Sequence, residues 1–171
     1  SAAVAGADSA GTALPDYRID LNSALGVNLA KAIELSREPS MSVRLDTYQP
    51  VYFDVQAKVL IDPRYLWPDV EAAIEAALTT AFAFERRMFA QPVSKAEVTS
   101  VIQSVPGVIF VDLDELHRFD QPTPVLPTDG LLVASNVEWQ ESEPEPGALA
   151  QLLLINPLGI ALTQTTQEAV Q

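Results

Sequence analysis

An α+β fold, an antiparallel sheet with helices on one face and a small C-terminal β-rich appendage, is predicted by three observations. First, Val51, Phe53, Val55, Ala57, Val59 and Ile61 are apolar, while Tyr52, Asp54, Gln56, Lys58 and Asp62 between them are mostly polar, with Leu60 the exception. A period of two makes a strand with one buried and one wet face. Second, two helical patterns follow, one opened by Pro68 and one by Ser94. Third, Val108 to Leu116 returns as a strand, so sheet residues bracket the helices that would cover them.

The elements follow in chain order. Residues 2–7 read as the tail of a truncated strand, and Asp8 to Asp16, small and polar, as a loop. Leu21, Leu25, Leu29, Ala32 and Ile33 fall at helical spacing, and Pro39 disfavours helical geometry at Glu38, so this helix stops near Arg37. Met41, Val43 and Leu45 alternate as a short strand, and Asp46 to Pro50 turn into the long one. Pro68 suits a first helical turn, because its missing N–H has no partner to lose there. Asp69 and Glu71 lie near that helix's positive end and Arg86 and Arg87 near its negative end, with Val70, Ile74, Ala77, Leu78, Ala81 and Phe82 as the apolar stripe.

Ser94-Lys95-Ala96-Glu97 is a capping box, with Val93 and Val98 as its hydrophobic staple. Val98, Val101, Ile102 and Val105 give the second helix its core face, and Pro106-Gly107 ends it. Pro122, Pro124 and Pro127 mark a semi-rigid linker. Glu141 to Gly147 reads as an exposed loop, and Leu152–Ile155 and Ile160–Thr163 flank Asn156-Pro157-Leu158-Gly159 as a hairpin. The simplest assembly is a ferredoxin-like split β-α-β sandwich over 1–118, a linker over 119–130 and a small β-hairpin appendage with its tail over 131–171.

Composition narrows function. The chain has 171 residues, is 48% hydrophobic and carries a formal charge of −13, enough for a real core inside an acidic, soluble surface. That charge repels a phosphate backbone and an anionic membrane surface, so neither nucleic acid nor membrane insertion is expected. Without cysteine, disulfides, thiolate zinc sites and cysteine nucleophiles are excluded. No apolar run approaches the length of a membrane span. The start, without an initiator Met, a basic region or a long apolar stretch, reads as the cut edge of a longer protein.

Chemistry is thin. Asp112, Asp114, Glu115 and His117 are the nearest thing to a metal or acid–base cluster. Strict alternation sends Asp112 and Asp114 to one face and Glu115 and His117 to the other, whereas a metal needs converging ligands. His117 is the sole histidine, and there is no nucleophile elbow or glycine-rich phosphate loop. Glu71 and Glu75 stand four apart, a solvated pair more simply than an acid–base one. No catalytic residue, cofactor or metal is expected. Contact with a partner is the remaining use: Tyr52, Tyr65 and Trp67 as aromatic anchors, and Trp139, Glu141 and Glu143 in an acidic loop facing a basic neighbour. Trp67 covering the end of the core, and a merely solvated loop, are the plainer accounts of the same residues.

Three stretches resemble J-like baseplate assembly proteins: Tyr48 to Val59, Asp69 to Leu78 with Phe84 to Phe89, and Gln91 to Val98 followed by Ile102 to Val108 and Val111 to Asp114. Ala150 to Asn156 with Gly159-Ile160 is similar to the C-terminal end of such proteins. The resemblance covers residues 40–118 best and 3–39 and 126–165 more loosely. It implies a structural, non-enzymatic wedge or ring part of the baseplate in a contractile phage tail or related injection system, assembled in the bacterial cytoplasm. Partners would be other baseplate proteins of wedge, hub or spike and sheath-initiator type, in a homo- or hetero-oligomer. It implies no catalytic motif and no site residue, and the chain reads as a C-terminal fragment of such a protein. Two other classes are the alternatives: a ferredoxin-like small-molecule-binding regulatory domain, which would need a polar or glycine-rich pocket at a helix N-terminus that this sequence lacks, and a hydrolase using Asp112, Asp114 and His117.

Overall fold

Ser23 starts the first helix, α1 (Ala24–Ser36), by accepting a hydrogen bond from the Gly26 N–H at 3.1 Å. In this computed structural model the described residues are 20–38, 40, 41, 43, 45–121, 127–137 and 149–166. The helix runs where spacing predicts and stops before Pro39, but much of its apolar stripe lies in water: Leu25 is 65% and Leu29 40% exposed. The strand expected at 41–45 does not form at its described residues. Arg37 Nη1 donates to Met41 O at 2.8 Å and Met41 N–H to Glu38 O at 3.0 Å, which curls the chain, and Met41 and Val43 stay exposed. Residues 2–7 lie outside the described residues.

The long strand β1 (Gln49–Ile61) buries every odd position from Val51 to Ile61 at 6% exposure or less. It is the central strand of a sheet that, among the described residues, has three strands. Strand β3 (Val108–Arg118) pairs antiparallel with β1, while β5 (Gln151–Gln164) pairs parallel with it. The sheet is therefore mixed, where an all-antiparallel one was expected. Parallel neighbours need a long crossover, and the chain between β1 and β5 supplies it.

Helix α2 (Trp67–Ala81) starts with Pro68 in its first turn and buries Val70, Ile74 and Leu78 on the apolar face of the sheet. Each such side chain contributes about 1.5–3 kcal/mol. Phe82, just past the helix, meets Phe53 edge-on at 5.3 Å. Because the helix ends at Ala81, Arg86 and Arg87 do not sit in its last turn; Arg86 belongs to a 3-10 turn, Phe84–Arg86. The Arg87 side chain is instead 1% exposed, bonding Glu97 Oε1 at 3.0 Å and the carbonyls of Gln91 and Pro92 at 3.2 and 2.8 Å. Burial pushes its guanidinium below the ordinary pKa, and the neighbouring Glu97 carboxylate opposes that shift.

Ser94 ends the two-residue strand β2 (Val93–Ser94) and caps α3 (Lys95–Gln103) through the Glu97 N–H at 3.0 Å. Val93 and Val98 are both fully buried, as a staple requires. The end signal holds: Gly107 has φ +95°, and the Tyr65 ring lies where a Cβ would stand. Strand β4 (Leu131–Leu132) pairs with β2. The hairpin expected over 152–163 is one strand. Asn156 to Gly159 do not reverse the chain; they bulge out between the Phe53–Ile155 and Val55–Ile160 pairs, and β5 then resumes along β1. Leu153 and Ile155 join the core, and Ile160 and Leu162 pack against it.

Candidate functional site

Helices α2 and α3 cover one sheet face; the other holds the polar residues of β1 and their cross-strand partners. On β3 two bulges decide which side chains arrive there. Phe110 opposes Leu60 and Val108 opposes Ile61, leaving Ile109 as an extra residue; Leu113 opposes Ala57 and Glu115 opposes Gln56, leaving Asp114 extra. An extra residue resets the alternation. Asp112, Glu115 and His117 consequently stand across from Lys58, Gln56 and Asp54 on one face, correcting the expectation that alternation separates Asp112 from Glu115 and His117.

Two small constellations result. Lys58 Nζ binds Asp114 Oδ1 at 2.8 Å, and this hydrogen bond, with the Asp114 and Asp112 charges, raises the lysine pKa. Further along, Asp54 lies between β3 and β5: its Oδ1 accepts from Asn156 Nδ2 at 2.8 Å, and its Oδ2 is 3.6 Å from His117 Nε2. Asn156 is 4% exposed, and Asn156 Oδ1 in turn accepts the Leu158 N–H at 3.1 Å, which shapes the bulge. A Cβ at Gly159 would collide with the Asp54 carboxylate, so the backbone can pass there only without a side chain. Sequence reasoning did not find Asp54, Asn156 and Gly159 as a group. Their only local signal is the Asn-Pro-Leu-Gly stretch, which fits a reversing turn equally well.

The arrangement binds strands together more readily than it moves protons. Among the described residues His117 Nδ1 is buried without a hydrogen-bond partner and Nε2 faces Asp54, so neither ring nitrogen meets a described hydroxyl in the way a nucleophile–base pair requires. Among the described residues no group of three or more His, Asp or Glu is placed to hold a metal ion. Nor is any described helix long and apolar enough to cross a membrane.

The contact candidates scatter. Tyr52 is half-buried and helps line a cavity of about 100 Å³ with Phe82, Phe84, Leu154, Ile155 and Pro157. Trp67 is partly buried and packs against the core at the opposite end of β1. Trp139, Glu141 and Glu143 lie outside the described residues. Glu75 is exposed and Glu71 half-buried on α2. The chain matches no family model, and no curated protein is significantly similar to it.

Proposed function

We propose that this chain is a structural, non-enzymatic part of the baseplate, wedge or ring, of a contractile phage tail or phage-tail-like injection system. It acts in assembly and triggering through protein–protein contacts with other baseplate proteins. The observation that carries the reading is the sheet itself. A 13-residue central strand is locked under two helices, while among the described residues β3 and β5 are laddered to β1 on one side only, the far side of β5 being bonded at its first residue, Gln151, by Ala90 and Ser135. An unpaired strand edge is a template for a neighbour's strand. The resemblance to J-like baseplate proteins is best over residues 40–118, which hold β1, α2, α3 and β3, so the most specific likeness and most of the buried core coincide. Under this reading the two helices and their sheet are the half of a ferredoxin-like sandwich that gives the subunit a fixed shape, and triggering repacks such rigid bodies against one another.

The experiment is mass spectrometry of contractile particles purified from the source, together with the genes beside this one. The expected result is the chain in stoichiometric amount in the particle and sheath, tube and spike genes alongside. Particles free of the chain, or turnover by the isolated protein that His117→Ala removes, would overturn the proposal.

A further inference from the structure

Among the described residues, the sheet face away from α2 and α3 is left open over its middle and one end. Gln56 and Lys58 on β1, Asp112 on β3, and Ala161 and Thr163 on β5 are exposed, and Phe110 is 39% exposed. An open face of this kind commonly takes a further layer. The width sets what fits: strands about 4.8 Å apart place the outer two of three roughly 10 Å from each other, the diameter of a single helix. The pattern along the face is graded. Leu60 and Phe110 pair at one end as an apolar contact, and Asp112, Asp114 and Glu115 follow, with Lys58 the one lysine or arginine beside them among the described residues.

We infer that this face docks a single amphipathic helix of a partner protein, with an apolar residue over Phe110 and Leu60 and lysines or arginines in the next two turns. Charge complementarity selects that occupant. A second copy of this chain is disfavoured, because 23 acidic residues against 10 Lys and Arg make two copies repel. The inference goes beyond the baseplate proposal and does not depend on it, since it names the chemistry of the partner whatever particle or complex supplies it.

The test uses the whole chain and two synthetic alanine-based helical peptides, one with a terminal Leu and Lys at i, i+4 and i+7, the other with Glu in place of Lys. Fluorescence anisotropy reads affinity and amide NMR shifts map the contact. The basic peptide is expected to bind, more weakly as salt rises, with shifts confined to Gln56, Lys58, Leu60 and Phe110 to Glu115. Affinity is expected to fall at least about tenfold with Asp112→Lys and Glu115→Lys together. Asp112→Asn with Glu115→Gln keeps the shapes and reads the same loss if the reversal impairs folding. Equal binding of both peptides, no binding, shifts on the α2–α3 side, or self-association that the charge reversal abolishes would each overturn the inference.

Discussion

Asn156 Nδ2 donates to Asp54 Oδ1 at 2.8 Å, joining residues 102 positions apart and fastening the bulge of β5 to the central strand. His117 approaches the other carboxylate oxygen from β3, so one side chain of β1 touches both outer strands. This group thus has a plain mechanical use, holding the register of a strand that would otherwise be free to slip at its interruption.

Asn156→Ala leaves the partly buried Asp54 carboxylate without its neutral donor and the Leu158 N–H without an acceptor. A hydrogen bond to a charged group is worth about 1.5–3 kcal/mol. The expected result is a loss of that order in urea denaturation, with Asp54→Asn milder because it removes the charge as well. Gly159→Ala is expected to destabilise the fold through collision with the same carboxylate. Wild-type stability in both Asn156→Ala and Gly159→Ala would show that the bulge is not held in this way.

A second lock holds the loop between α2 and α3. Arg87 also lies over the Phe82 ring at 5.4 Å, so its guanidinium ties the end of one helix to the start of the next. Glu97→Ala strands that charge in a buried site, whereas Arg87→Met fills the space and leaves only a half-exposed glutamate. The expected order in chemical denaturation is a larger destabilisation for Glu97→Ala than for Arg87→Met, the latter about 1–3 kcal/mol from the unpaired Gln91 and Pro92 carbonyls. The reverse order would mean that the guanidinium keeps enough water to stand alone.

What could be read from residues alone was what local chemistry dictates. Alternation identified β1 and its buried side, Ser94 with Val93 and Val98 identified the start of α3, and Gly107 its end, because each signal acts within a turn or a pleat. Non-local pairing was illegible. Asp114 looks like any other strand residue until Leu113 and Glu115 take successive places opposite Ala57 and Gln56. Asn156 to Gly159 carry a turn signal whether the chain reverses or bulges, and only the free side of β1 decides between them. Helix α1 failed differently. Its spacing was right, but amphipathic spacing does not supply a surface to cover it.

The acid response follows from Asp62. Its carboxylate accepts from the Arg64 side chain, with Nε at 3.0 Å from both oxygens, and from the Arg64 backbone N–H at 2.9 Å. The side-chain hydrogen bond is the larger cause and the backbone bond the second; together they take the carboxyl from its ordinary 3.8 down to about 2. Arg118 holds Asp120 low, and Arg37 holds Glu34 low, chiefly through side-chain hydrogen bonds as well. A carboxylate whose folded pKa is depressed binds fewer protons folded than unfolded, so its contribution is whole above the unfolded pKa and fades as pH falls through the folded one. For Asp62 that window runs from 3.8 down to about 2. Carbon-detected NMR titration of the Asp62 carboxyl is expected to give a midpoint near that lower value in the native chain. In Arg64→Ala the midpoint should return toward 3.8. A midpoint already at the ordinary value in the unmutated protein would mean that water screens this short loop pair completely in solution.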